Sequence, residues 1–384
     1  MIRKKRWLIW SLAGVMGLFS PMASMAASPE FARSSEEWQR LQDDELEYDE
    51  IADLIHEYNV TVLNNQYEYN RFIKKYGKTK DDIAESYREM ADDLEAGVSG
   101  DDNAMSRVSD LQAEQQAEQL REQADDNVED SRIYLLTHSK EENSLVLSAR
   151  QKFISYYRKQ TELKSARDAL NTYKNSLQLA ETKRQAGIAT QTEALNAQEK
   201  VLEQEKNIQK LEQEVENTRQ SLILMLGWKG SDRPDIGEMP QAGLEEISLI
   251  DVEADQQTAV ENNYTLKINE RKLENTVDSN NKAKLRNTID GNRKQIKASV
   301  QSAYNSLKAA KLAYEQAVAD EQTEERNMQL SGQKWNAGMI TRFEYEEQQA
   351  ALSSKRNTVE TAMLDLTEAL EIYRANVNGL ASAE

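Results

Sequence analysis

No proline occurs between Pro29 and Pro234, and none after Pro240. An interior proline costs a helix about 3 kcal/mol, because it removes a backbone donor and clashes with the preceding turn. Two long stretches of this chain are therefore free to run as helices of unusual length. Residues 101–186 lack glycine as well. The breakers crowd instead into one place, where Gly227, Gly230, Pro234, Gly237, Pro240 and Gly243 fall together. That segment reads as a linker over 227–246 dividing the chain into two halves.

Heptad spacing fills both stretches. One seam runs Ala194, Ala197, Val201, Gln204, Ile208, Leu211, Val215, Thr218, Leu222 and Met225, in alternating steps of three and four. That is the a/d pattern of a left-handed coiled coil. Further seams are Leu163 to Ala180, Val300 to Ala317 and Val359 to Tyr373. Alanine recurs in them and lets helices approach closely. The spacing predicts an all-α chain of long antiparallel coiled-coil hairpins with little or no β structure. In the first half it places helices at about 34–96, 141–186 and 190–226. In the second it places them at about 247–285, 293–336 and 341–378.

The halves repeat one another in sequence. Ala186-Gly187-Ile188-Ala189-Thr190-Gln191-Thr192-Glu193 matches Ala337-Gly338-Met339-Ile340-Thr341-Arg342-Phe343-Glu344 in its Ala-Gly, its Thr and its Glu. Asn59-Val60-Thr61-Val62 likewise matches Asn263-Tyr264-Thr265-Leu266, and Leu226-Gly227 matches Asn378-Gly379. Each Ala-Gly break has a physical reading. Glycine suits the left-handed position just past a helix end. Thr190 or Thr341 then caps the next helix, with Glu193 or Glu344 three residues later as in a capping box. One reading is that these residues only close a hairpin. Their repetition at two tips favours a partner there as well.

Charge and composition exclude several classes. Asp and Glu number 67 against 48 Lys and Arg, for a net charge of −19, which argues against nucleic acid as a partner. There is no cysteine, hence no disulfide framework and no thiolate metal site. The two histidines, His56 and His138, stand apart with no nucleophile or ligand set beside them, so neither a metal, a cofactor nor an enzymatic activity is expected. The acidic runs Asp43-Asp44-Glu45 and Asp81-Asp82 read as solvated faces. Arg3-Lys4-Lys5-Arg6, the apolar run Trp7 to Phe19, and Ser24 and Ala26 before Ala27 form the pattern of a secretory signal peptide over 1–26. The chain is thus expected to be exported.

In this duplicated order the chain resembles the TolC-like outer-membrane efflux proteins. The resemblance rests on the tip motifs, the Leu226-Gly227 ending and the paired halves. It makes 27–226 a first helical repeat with a polar insert at about 97–140, and 247–384 a second. It implies a homotrimer whose hairpins form a hollow α-barrel. The barrel would be a passive conduit for an exported small molecule or polypeptide. The tips would meet a membrane-fusion adaptor, itself seated on an ABC-type or other transporter in the inner or cytoplasmic membrane. Carried over by position, the adaptor contacts are Gly187, Thr190 and Glu193 at one tip and Gly338, Thr341 and Glu344 at the other. Lys183, Arg184, Trp335 and Arg342 flank them.

One departure is visible in the sequence. The family inserts two membrane strands in each half. Here the corresponding segments, about 77–144 and Asp278 to Ile296, lack the alternating apolar face that lipid requires. The expectation is a tunnel without a membrane barrel, at the wall or surface of a single-membrane cell rather than in an outer membrane. The alternative is a non-conducting cell-envelope coiled-coil scaffold. A fusion adaptor would carry Gly-rich β modules and a pore-forming toxin a hydrophobic hairpin; the sequence offers neither.

Overall fold

The computed structural model describes residues 33–98 and 103–383. The leader expected at 1–26 lies outside them. The chain divides into two compact units, Met1–Asp43 and Asp44–Glu384. In the first, α1 (Ser35–Arg40) is capped reciprocally by Ser34 and Glu37, and the Arg33 guanidinium lies 5.7 Å from the Trp38 ring.

The second unit is helical almost throughout. After β1 (Glu45–Leu46) come α2 (Ile51–Tyr58), α3 (Val60–Tyr76), α4 (Lys80–Ala96), α5 (Ala104–Asp125), α6 (Ser131–Gln185) and α7 (Gln191–Met225). Next are β2 (Asp235–Ile236), α8 (Leu244–Ser248), α9 (Val252–Asn262), α10 (Tyr264–Asn275), α11 (Ser279–Asn336) and α12 (Arg342–Ala375). A wide π turn, Asn376–Leu380, ends α12. At ~1.5 Å per residue, α6 and α11 are each more than ~80 Å long. Among the described residues strand amounts to 1 %. It consists of β1 and β2, a two-residue parallel pair that staples the linker to the start of the first half.

Two antiparallel hairpins dominate, α6–α7 and α11–α12, and α6 packs on α12, so the four lie in the order α7–α6–α12–α11. Every residue of the four heptad seams is buried or half-buried. Leu163, Ala166, Ile208 and Leu211 make the core of the first hairpin. Val300, Ala303, Leu307, Leu366, Leu370 and Tyr373 make that of the second. Each leucine so buried contributes about 1.5–3 kcal/mol. The α6–α12 junction is different in kind. Arg150 pairs with Glu371 at 2.8 Å, and Arg158 with Asp365 at 2.8 Å and Glu368 at 2.6 Å. Further along, Lys164 meets Glu360 at 3.0 Å, Ser353 donates to Asp168 at 2.6 Å, and Asn175 donates to Glu346 at 3.0 Å. Hairpins are closed by apolar seams and joined to each other by a polar one.

Both expected first helices are in fact broken. The first, expected as one helix over about 34–96, is interrupted over 41–50, where β1 lies, and ends and restarts at Asn59 and again at Gly77-Lys78-Thr79. Asn59 caps α3 by accepting from Thr61 N at 2.9 Å. Asp82 accepts from the Lys78 and Thr79 backbone at 2.9 and 3.0 Å, so this exposed carboxylate also closes the capping box of Thr79. The second, expected over about 247–285, is the end of α8, then α9 and α10, and the start of α11. Asn263 caps α10 and Asp278 caps α11, each with its side chain on the third backbone N–H. These Asn and Asp caps offer the backbone a bond that competes with helix continuation.

Where the sequence left polar helix or loop, the first half carries a helical hairpin, α4–α5. It closes on buried Ile83, Ala91, Ala117 and Ala124, with Arg121 bonded to Asp92 and Glu95 across it. Its root is fastened to the second half. Asp130, 1 % exposed, accepts from Arg271 Nε at 2.6 Å, from Asn275 Nδ2 at 2.9 Å and from Ile133 N at 3.0 Å. Burial pushes the Asp130 carboxyl up, but these bonds together hold it below the usual carboxylate range. In the second half there is no insert, because α11 runs unbroken through Asp290-Gly291.

Candidate functional site

The two hairpin tips have the same backbone. At the first, Gly187 N donates to Arg184 O at 2.9 Å and Ile188 N to Lys183 O at 2.8 Å. At the second, Gly338 N donates to Trp335 O at 2.9 Å and Met339 N to Lys334 O at 2.8 Å. This double bond pattern is the Schellman motif, with glycine in the left-handed position. Gly187 has φ +74° and Gly338 φ +68°. A Cβ on either would meet nothing within 4 Å. The fold therefore needs the glycine backbone angle, but nothing in the chain itself occupies the space beside it.

Each tip restarts on a threonine. Glu193 N donates to Thr190 Oγ1 at 3.2 Å, and Glu344 N to Thr341 Oγ1 at 3.2 Å. The capping box is complete only at the second tip, where Thr341 N donates to Glu344 Oε2 at 2.7 Å. That bond, with the one from the Thr341 hydroxyl, holds the Glu344 carboxyl below its ordinary range. At the first tip only the threonine half of the expected box is made.

The remaining expected tip residues are placed as follows. Lys183 and Arg184 supply the carbonyls of the first turn, and their side chains are exposed. Trp335 stacks on Tyr345 across the second tip, centroids 5.9 Å apart. Arg342 folds back along its own helix to Glu346 at 2.6 Å. Each half thus gathers its own set, and the polar seam links the two hairpins near their ends through Asn175 and Glu346.

Sequence reasoning missed Ile188 and Met339. A Schellman turn commonly packs the residue after its glycine on the residue three before the helix end. Here those partners are Lys183 and Lys334, and the apolar side chains stand free, Ile188 77 % and Met339 73 % exposed. The signal was legible: an apolar residue after the tip glycine with no apolar residue to receive it.

At the opposite, root end, the glycines are crowded. A Cβ on Gly227 (φ +95°) would lie 2.3 Å from Tyr58 Cβ, and one on Gly379 (φ +113°) 2.7 Å from Asn262 O. Among the described residues no group of three His, Asp or Glu side chains could hold a metal ion. No described helix is long and apolar enough to cross a membrane.

No family model matches the chain, and no curated protein does. Solved structures do. A membrane protein from Pseudomonas aeruginosa aligns with a TM-score of 0.54 at 12 % identity, over 86 % of this chain and 90 % of its own. The outer-membrane channel OprN aligns at 0.53 and 12 %, over 90 % and 92 %. The Campylobacter jejuni CmeC outer membrane channel aligns at 0.51 and 9 %, over 90 % and 88 %. At such identities it is the fold that is shared, through both hairpins and nearly end to end. This chain has the TolC-like fold.

Proposed function

We propose that the protein is a passive tunnel component of an efflux or secretion system, exported to the cell envelope and assembled as a homotrimer. Its two hairpin tips dock the coiled coil of a membrane-fusion adaptor, which couples it to an ABC-type or other transporter. The single observation that carries the reading is the pair of matched tips. A glycine with open space beside it, followed by an exposed apolar side chain, occurs twice in one chain and is used by nothing within it. A helix from a partner approaches closest where side chains are absent, and Ile188 and Met339 then supply apolar area at the point of contact.

The solved channels with this fold support the tunnel part of the reading. The α4–α5 hairpin and the unbroken α11 stand where the family resemblance would place membrane strands. They favour a site at the wall or surface of a single-membrane cell. They also favour a second reading, a non-conducting envelope scaffold.

A photo-crosslinking residue at position 188 or 339, read in intact cells, tests the docking. The expected adduct is the coiled-coil hairpin of an adaptor, with no adduct from the same probe at position 118 on α5. Export of a substrate lost on deletion and restored by the wild-type chain separates conduit from scaffold. An adduct with normal export in the deletion strain would leave the scaffold reading standing and the conduit overturned.

A further inference from the structure

The chain carries a net charge of −19, yet the first part of α11 is strongly basic. Residues 276–300 hold Lys282, Lys284, Arg286, Arg293, Lys294 and Lys297 against only Asp278 and Asp290. Both acids are engaged. Asp278 caps α11, accepting from Asn281 N at 2.7 Å, and Asp290 faces Arg293 at 3.7 Å. Arg293 also meets Glu270 of α10 at 2.8 Å. Among the described residues, the other five cations form no ion pair.

Ile289 and Ile296 anchor one side of this stretch in the core of the second half, and Asn292 is buried beside them, bonded to Asn269 at 2.9 Å. The cations occupy the rest of the surface. Lys282, Arg286, Arg293 and Lys297 follow steps of four, seven and four, which makes one row along a helix. At ~1.5 Å per residue the row is ~22 Å long. Lys284 and Lys294 lie on the exposed outer side with Gly291 between them. A Cβ on Gly291 would meet nothing within 4 Å, so packing inside the chain does not require glycine there. Glycine is a poor helix former, and cations early in a helix oppose its dipole. Neither feature serves the stability of α11. Both suit a negatively charged partner: the row supplies the charge, and Gly291 lets the partner come close to the backbone.

We infer that this strip, residues 282–297 of α11, binds a linear phosphodiester polymer of the cell wall. Unpaired cations spread along ~22 Å of helix match repeated negative charge rather than a single small anion. Val277, 77 % exposed, is the one large apolar side chain standing free in 276–300, so the strip lacks the apolar face with which a helix lies in a lipid surface. The net negative charge of the chain does not forbid the contact. Screening at physiological salt acts within ~8 Å, so acids farther away than that barely reach a polymer on the strip. The strip is at the start of α11 and the Gly338 tip is at its end, so a polymer on one and an adaptor on the other do not compete. The inference rests on the proposed export to the cell envelope, and deepens it by naming what the root end holds. It requires neither conduction nor adaptor docking.

The purified chain and end-labelled poly(glycerol phosphate) test it by fluorescence anisotropy. Binding is expected at low ionic strength and should weaken as salt rises, because each phosphate contact releases counterions. Lys282→Gln, Lys284→Gln, Arg286→Gln and Lys294→Gln in one chain should weaken it by about tenfold or more, with helix content unchanged. Lys200→Gln, Lys206→Gln, Lys229→Gln and Arg326→Gln remove the same charge from other exposed positions and should change it by less than about twofold. Equal loss in both sets would overturn the inference, because net charge alone would then set the affinity. So would a wild-type chain that fails to bind at low ionic strength. Binding to vesicles of phosphatidylcholine and phosphatidylglycerol with none to the polymer would also overturn it and make the partner a lipid surface. Gly291→Leu should weaken polymer binding without loss of helix, and binding as tight as wild type there would overturn the placement of the polymer on the outer side. The result separates from the tunnel reading. Polymer binding together with normal export in a deletion strain would uphold the strip and overturn the conduit, and export lost on deletion with no polymer binding would do the reverse.

Discussion

Asn59 Nδ2 donates to Met225 O at 2.8 Å, so the residue that starts α3 also ties down the end of α7. Asn263 repeats the clasp in the second half, donating to Ala381 O at 2.8 Å and to Gly379 O at 3.3 Å. The two sequence matches between the halves, the Asn-X-Thr openings and the glycine endings, are therefore one physical feature. Each asparagine caps its own helix through Oδ1 and holds the returning chain through Nδ2.

Replacing either asparagine removes a cap and a long-range bond together. Loss of an N-cap costs about 0.5–2 kcal/mol, and a buried carbonyl left unpaired adds about 1–3 kcal/mol. Asn59→Ala and Asn263→Ala should each destabilise by about 2–3 kcal/mol in chemical denaturation. Asn→Asp should recover the cap but not the clasp, and so fall between wild type and alanine.

The glycines sort by what surrounds them. Gly227→Leu or Gly379→Leu should abolish the folded state at physiological temperature, because the first side-chain atom already overlaps Tyr58 or the Asn262 carbonyl. Gly187→Leu with Gly338→Leu should cost only the left-handed backbone penalty, about 1–2 kcal/mol per site. Helicity by circular dichroism and the oligomer by sedimentation should persist, while adaptor binding and export are lost. Unchanged export in the double variant would reduce the tips to turns.

Acid should act through His138 before it acts through carboxylates. Burial holds this imidazole below its ordinary range, against the upward pull of Glu141 and Glu68, and both ring nitrogens lack a partner. The unfolded chain therefore takes up the proton first. The stability that His138 contributes is present above about pH 6.5 and is lost as pH falls from there through the depressed folded value. His138→Phe should flatten denaturation midpoints over that window and leave them equal or higher at pH 7. A slope unchanged in the variant would place the sensitivity elsewhere.

Loosening the polar seam should part the hairpins without unravelling them. Arg158→Ala removes the bonds to Asp365 and Glu368 and leaves a half-buried carboxylate unpaired. Charge-assisted bonds of this kind are worth about 1.5–3 kcal/mol. Amide exchange should quicken on the facing sides of α6 and α12, while the α6–α7 and α11–α12 seams stay protected. Uniform quickening across both hairpins would show the seam to be part of the core.

The hairpins and tips were legible because their signals are local and repeated: heptads, a glycine, a threonine three residues on. Every heptad position named from sequence is shielded in the structure. What was not legible depended on partners distant in sequence. Asp130 reads as an ordinary acid until Arg271 and Asn275 arrive from the other half. Gly291 reads as a breaker, yet helix packing on either side carries α11 straight through it. The break at Asn59 was hidden because its cap matters only once Met225 needs a donor. The α4–α5 hairpin was obscured by its own polarity, since alanines such as Ala91 and Ala117 give a weak periodic signal.

The place where α12 ends settles a question of rotational phase. The tips match at one offset, but the root glycines, Gly227 and Gly379, match at an offset one residue greater. One extra residue within a helix would swing everything beyond it by about 100°. It would turn Leu366, Leu370 and Tyr373 out of their seam. Here the extra residue falls within Asn376–Leu380, after the last core position, so no seam residue is turned out; the wide turn around the glycine is itself common to both halves, Trp228 N donating to Ile223 O in the first. The duplicated halves could therefore drift apart in length while their coiled coils stayed in step.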